Sequence, residues 1–149
     1  MRVVVQRVAK AGVKVDGQVT ASTGCGLLCL VGIGRNDTEE NAEYLAVKTA
    51  NLRIFEDDCG KMNLSIRQAG GEILSVPQFT LLGRLKKGSR PSFDEAAEPA
   101  KALALWEAYN SFLVREGIPV QKGSFGDHME VSLINDGPVT IILKSKESG

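Results

Sequence analysis

A single histidine, His128, stands in a chain of 149 residues, so a serine or cysteine nucleophile would have only one imidazole available as its base. His128 follows Gly126 by two positions at the expected start of a strand and reads as a surface or half-buried residue. Around it the sequence offers no cluster of metal ligands. The three cysteines, Cys25, Cys29 and Cys59, are odd in number and lack Cys-x-x-Cys spacing, which removes both a disulfide framework and a zinc site. No stretch approaches the roughly 18 apolar residues of a membrane span. A surplus of one charge is missing too: 18 Lys plus Arg balance 18 Asp plus Glu, so any grip on RNA must be local. Gly24-Cys25-Gly26 and Gly32-Ile33-Gly34 lack the remaining positions of a nucleotide fingerprint. No metal and no bound cofactor are therefore expected. Met1-Arg2 leads straight into a strand pattern, without the apolar core or cleavage site of a signal peptide, and a reducing cytoplasm is the expected home.

What is present is ordinary globular material, 43% hydrophobic and 24% charged, and residues 1–149 are expected to form one domain. Residues 2–10 and 11–16 are rich in valine, Asp16-Gly17 is a two-residue hairpin signal, and residues 18–23 are the returning strand. Residues 27–33 are almost continuously apolar, as in a central strand covered on both faces. Asp37 is the expected cap of a first helix, with Glu40 at its third position and Ala42, Leu45, Ala46, Thr49 and Leu52 as its packing face. Residues 53–56 form a short strand, residues 57–61 a solvated turn, and residues 62–66 a brief extended piece before Gly70-Gly71. Residues 92–95 offer a capping box for a second helix, with Pro99 near its start. Its stripe of Ala102, Leu105, Trp106, Tyr109, Phe112 and Leu113 must cover a sheet, which makes Trp106 and Tyr109 core residues. Extended pieces at 120–125, 129–134 and 139–143 follow, the last two separated by a turn at 135–138, with a frayed tail from 144 to 149. This order argues for an α+β fold in which two main helices cover curved, largely antiparallel sheets.

The organising stretch is Ser75-Val76-Pro77-Gln78-Phe79-Thr80-Leu81-Leu82, which reads as a strand. Pro77 brings no N–H and belongs at a strand end, so the amides of Gln78, Phe79 and Thr80 beyond it can point at a ligand. Solvation of those same groups is the plainer alternative. Residues 83–91 then form the one dense basic loop, where Arg84, Lys86, Lys87 and Arg90 either clamp a phosphate backbone or are simply solvated.

Pro77-Gln78-Phe79-Thr80-Leu81 resembles the Ser-Gln-Phe-Thr-Leu signature of the D-aminoacyl-tRNA deacylases (D-tyrosyl-tRNA deacylases). Asn135-Asp136-Gly137-Pro138-Val139-Thr140, about 55 residues further on, resembles their Asn-x-Gly-Pro-x-Thr signature. Met1 to Val8, Asn51 to Phe55 and Arg90 to Phe93 match as well, so the resemblance covers essentially the whole chain.

The resemblance implies a partly open, barrel-like core and a homodimer, with aminoacyl-tRNA as substrate and no cofactor. It implies that the strand of Gln78, Phe79 and Thr80 lines the scissile ester. Main-chain amides would then form the oxyanion hole, and the substrate's own 2′-OH would assist, because an unaided threonine hydroxyl is a poor nucleophile. Gly137-Pro138, in cis and supplied by the opposite subunit, would reject L-amino acids with its carbonyl oxygens, and Arg7 would hold that loop. Phe125 and Met129, in Gly123-Ser124-Phe125-Gly126-Asp127-His128-Met129, would enclose the terminal adenosine, although core packing alone also accounts for them.

Pro77 departs from the family's serine. A sister group that removes L-alanine from a threonine tRNA has Pro-Gln here, paired with alanine where this chain has Phe79. Phe79 and the intact second signature favour D-specificity. The remaining alternative is a tRNA-binding module without catalysis.

Overall fold

The computed structural model describes residues 1–146. The valine-rich start forms one long strand, β1 (Arg2–Val15), which returns as β2 (Gln18–Thr23) through Asp16 and Gly17 at φ 50° and 77°. Two consecutive left-handed residues give the turn whose twist suits a hairpin, and Asp-Gly adopts it readily. β1 is the spine of the sheet. One edge pairs first with β3 (Gly26–Gly32) and then with β2, while the other pairs along nearly its whole length with β8 (Glu130–Lys144), all antiparallel. β3 continues in parallel to β6 (Glu72–Pro77), and β6 in parallel to β7 (Val120–Lys122). The sheet is therefore mixed, antiparallel about β1 and parallel beyond β3, and it curls nearly into a barrel.

The apolar run of β3 serves two cores. Leu27, Cys29 and Val31 pack toward the helices α1 (Glu39–Asn51) and α3 (Pro99–Arg115), against Leu45, Ala46, Trp106, Tyr109 and Leu113. Leu28 and Leu30 face the inside of the curl with Val8, Val13, Leu74 and Val76. Each fully buried leucine is worth about 1.5–3 kcal/mol relative to exposure, so this strand alone anchors both halves. Between the helices the Tyr109 hydroxyl meets Thr49 Oγ1 at 2.9 Å, and Thr49 Oγ1 donates to Leu45 O at 2.7 Å. Burial pushes the Cys29 thiol up to about 12.

Several local expectations are corrected. Thr38, not Asp37, caps α1: its hydroxyl accepts from Asn41 N, and Asn41 Oδ1 accepts from Thr38 N at 2.9 Å. Asp37 turns inward, accepting from the Met1 ammonium at 2.6 Å and from Gly34 N at 2.5 Å. The extended piece at 62–66 stops early. After β5 (Met62–Leu64), which pairs with β4 (Phe55–Glu56), Ser65 and Gln68 form a reciprocal capping box for a short helix, α2 (Ile66–Ala69). Residues 92–95 cap nothing: α3 begins at Pro99 behind Glu98, while Ser92 pairs with Arg84 across an isolated bridge. The strand expected at 120–125 ends at Lys122.

The turn expected at 135–138 does not divide two strands. β8 runs through it, and from Gln6↔Thr140 to Val8↔Asn135 two steps on β1 face five on β8, so the second signature loops out as a bulge. The tail is tied down at its start, where Ser145 N donates to Met1 O at 3.0 Å. The rest of that expected tail, 147–149, lies outside the described residues.

Candidate active site

Pro77 ends β6 as its chemistry requires, but the residues after it do not stay extended. Phe79–Leu82 form a 3₁₀ turn, correcting the expectation of a strand through Leu82. Gln78 N donates to Val31 O at 2.7 Å, continuing the parallel ladder for one more bond. This amide is therefore taken and cannot serve as a free oxyanion donor. The amides of Phe79 and Thr80, at the start of the turn, have no hydrogen-bond partner among the described residues. The first N–H groups of a helical turn lack an internal acceptor by construction, and here nothing else fills the role. Arg2 Nη1 donates to Leu81 O at 2.9 Å and fixes the far end of the turn. The Gln78 side-chain amide donates to Thr80 Oγ1, which orients that exposed hydroxyl.

Beside the turn lies a cavity of about 560 Å³ at the end of the sheet where β3 and β6 finish. Val31, Ile33, Val76 and Pro77 form one wall, Ala102 and Trp106 of α3 another, and Phe125, His128 and Met129 a third. Gln78 and Phe79 stand at its edge, whereas Thr80 is not among its lining residues. Phe79 is 58% exposed and meets Phe93 edge-on with ring centroids 5.1 Å apart. This is an apolar slot suited to a flat ring, and Phe79, whose amide is unpaired, is among the residues at its edge.

Behind the slot's lining, Ser75 is fully buried. Its hydroxyl accepts from Trp106 Nε1 at 2.9 Å, and its carbonyl accepts from Gly123 N at 2.8 Å. Trp106 lies against Phe125 with centroids 5.9 Å apart. Trp106 is a core residue, 2% exposed, as its stripe on α3 implies, yet its ring also closes the slot. Sequence reasoning missed Ser75. The available signal was a lone hydroxyl inside the apolar run 73–76, where a buried polar group needs a partner.

Arg7, Gly137 and Pro138 form a second locus. Arg7 is 6% exposed and donates from Nε to Asp136 O at 2.9 Å and from Nη1 to Ile54 O at 2.7 Å. Asn135 braces the other side, accepting from Val139 N at 2.7 Å. The Gly137–Pro138 bond is cis, both residues are exposed, and neither lines the cavity of its own chain. The basic loop is partly neutralised: Arg84 pairs with Glu95 at 3.0 Å and Lys86 with Asp94 at 2.7 Å. His128 is exposed at the cavity wall, and among the described residues no cluster of metal-binding side chains occurs.

The family model described as D-Tyr-tRNA(Tyr) deacylase matches residues 4–144. A D-aminoacyl-tRNA deacylase of a Geobacillus species is 58% identical over 147 residues, covering 99% of this chain and 97% of that protein. The proteins of the same name from Bacillus velezensis and Thermotoga petrophila are 54% and 52% identical, each covering 99% of this chain and 100% and 99% of their own lengths. Among solved structures, the c-Myc DNA Unwinding Element Binding Protein superposes with a TM-score of 0.92 at 38% identity, covering 99% of this chain and all of that one. A probable eukaryotic D-amino acid tRNA deacylase shares the fold at a TM-score of 0.83 and 19% identity, covering 95% and 97%. The chain belongs to the D-Tyr-tRNA(Tyr) deacylase family. No helix among its described residues is long and apolar enough to cross a membrane.

Proposed function

We propose that this protein is a D-aminoacyl-tRNA deacylase, hydrolysing the ester between a D-amino acid and the terminal ribose of tRNA. The observation that carries the mechanism is the pair of unpartnered amides, Phe79 and Thr80, just past a strand stopped by Pro77. As the ester carbonyl becomes tetrahedral, its oxygen gains negative charge, and fixed N–H donors stabilise that charge without reorganisation. Loss of one such donor typically costs about 2.7–4 kcal/mol. The neighbouring 2′-OH of the substrate handles the proton, since the Thr80 hydroxyl is hydrogen-bonded to the Gln78 side-chain amide, which cannot take up its proton. Thr80, held by Gln78, orients the ester and does not attack it. The slot formed by Phe125, Met129 and Trp106 holds the terminal adenine by apolar contact and stacking.

Chirality is read by the Gly137-Pro138 bulge of a second copy, so the working unit is a homodimer acting in the cytoplasm, with residues 1–149 as one catalytic domain. Support comes from the exposure of the bulge, its bracing by Arg7 and Asn135, and its separation from the cavity of its own chain. Main-chain oxygens beside the substrate Cα leave room for a D side chain or for the hydrogen of glycine, and collide with an L side chain. Glycine mischarged on alanine tRNA is accordingly a second substrate.

Pro77 favours one other reading, removal of L-alanine from a threonine tRNA. Hydrolysis of D-tyrosyl-tRNA and L-alanyl-tRNA by the purified protein separates them: loss of L-alanine with D-tyrosine spared would overturn D-specificity.

A further inference from the structure

A second cleft, of about 530 Å³, adjoins the slot along a shared ridge. Three segments contribute to both cavities: Ile33 lines the slot and Gly34 the cleft, Phe79 the slot and Leu82 the cleft, Ala96 the slot and Glu95 the cleft. Both therefore open where β3 and β6 end. The cleft carries four cationic side chains, Arg2, Arg35, Arg84 and Lys144, against the carboxylates of Asp37 and Glu95. Asp37 is already neutralised by the Met1 ammonium, and Glu95 by Arg84. Among the described residues, Arg2, Arg35 and Lys144 form no salt bridge; Arg35 donates to Asp94 O at 3.0 Å, but the nearby Asp94 carboxylate is itself paired with Lys86, so the cleft keeps a positive excess in a chain whose formal net charge is zero.

We propose that this cleft, lined by Arg2, Arg35, Arg84 and Lys144, seats a phosphodiester of the RNA strand leading to the terminal adenosine. The inference rests on the deacylase reading of the adjoining slot and extends it to the rest of the substrate. An RNA whose last base lies in the slot must leave it along its backbone, and a phosphate held against the protein gains affinity from cationic side chains that the apolar slot lacks. Arg2 links the cleft to the turn: it lines the cleft and its Nη1 donates to Leu81 O, the carbonyl one residue beyond Thr80. Seating a phosphate there would steady the turn that carries the free amides.

The test compares tRNA carrying D-tyrosine with D-tyrosyl adenosine, an ester without phosphate, for the wild type and for Arg35→Gln/Lys144→Gln. Both residues are exposed and outside any salt bridge, so the fold should be retained. Lys10→Gln/Lys14→Gln, on the opposite half of β1, removes the same charge elsewhere. The expected result is a kcat/KM on tRNA lowered about tenfold more than on the adenosine ester, with a salt dependence shallower by about 0.7 in log–log slope for each phosphate no longer neutralised. Equal losses on both substrates, or the same loss in the Lys10/Lys14 pair, would overturn it. If the wild type hydrolyses neither ester, the deacylase reading fails, and binding of a fluorescent single-stranded oligoribonucleotide decides the cleft on its own. Weaker binding by the Arg35/Lys144 pair alone supports the site, and equal affinity in all three proteins refutes it.

Discussion

The buried guanidinium of Arg7 joins two distant carbonyls, donating to Asp136 O at 2.9 Å from Nε and to Ile54 O at 2.7 Å from Nη1. A bulge displaced from its strand is thereby tied to the loop following α1. The side-chain pairing of Arg7 with Asp136 is long, 3.8 Å, and Asp136 is exposed, so the main-chain contacts dominate.

Replacing Arg7 with alanine should destabilise the fold by about 1–3 kcal/mol, since the buried Ile54 carbonyl is left unpaired, whereas the part-buried Asp136 carbonyl can turn to water. Arg7→Lys keeps the charge but cannot reach both carbonyls in the same geometry. The lysine variant should remain folded, by urea titration, and should lose part of its preference for D- over L-aminoacyl-tRNA. A folded lysine variant with an unaltered preference would detach Arg7 from the chiral filter.

Gly137 has φ 142°, and a Cβ there would lie 2.7 Å from Val139 Cγ2 and 2.9 Å from Val139 N. Alanine is therefore strained by about 1–3 kcal/mol and pushes the bulge out of place. Gly137→Ala should erode chiral discrimination more than turnover of the D substrate. An unchanged ratio of D to L rates would show that the bulge does not read handedness.

Thr80→Ala removes one hydroxyl that accepts from the Gln78 side chain, while the Thr80 amide remains. A lost orienting hydrogen bond is worth about 0.5–1.5 kcal/mol, so single-turnover rates should fall by about tenfold at most. A loss that abolishes the reaction would restore the threonine as a nucleophile.

Cys29 and Tyr109, both fully buried, make stability sensitive to alkali. Burial raises the Cys29 thiol from its ordinary 9.0 to about 12 and lifts the Tyr109 phenol well above 10.0. Above pH 9 the unfolded chain releases protons that the folded chain retains, so the stability these groups contribute is intact below pH 9 and declines toward pH 12. The urea midpoint should fall through that window, and Cys29→Ala should flatten part of the fall. At neutral pH a thiol reagent should modify the exposed Cys25 and Cys59 and reach Cys29 only on unfolding.

Where a residue's own chemistry fixes the backbone, the fold was readable from the chain alone. Asp16-Gly17 made its hairpin, the apolar run of β3 lay between two cores, and Pro77 ended its strand. The misreadings arose where a tertiary partner decided. Asp37 resembles a helix cap locally, but Met1 draws it inward and leaves Thr38 to do the capping. Residues 79–82 have strand composition, yet a 3₁₀ turn forms once β3 can offer only Val31 O to the amide of Gln78. The Asn135 signature looks like a turn between strands because neither its continuous pairing with β1 nor Arg7 beneath it is visible locally. Phe125 and Met129, singled out only by the family resemblance, both line the cavity, but the contacts of Ser75 and Trp106 behind them depend on β6 meeting α3.

The most direct measurement is deacylation of D-tyrosyl-tRNA and L-tyrosyl-tRNA side by side by this protein at equal concentrations. Peptide groups acting both as oxyanion donors and as a handedness filter predict rapid loss of the D-amino acid with the L ester left intact. Equal rates for both esters, or action on L-alanyl-tRNA alone, would contradict it.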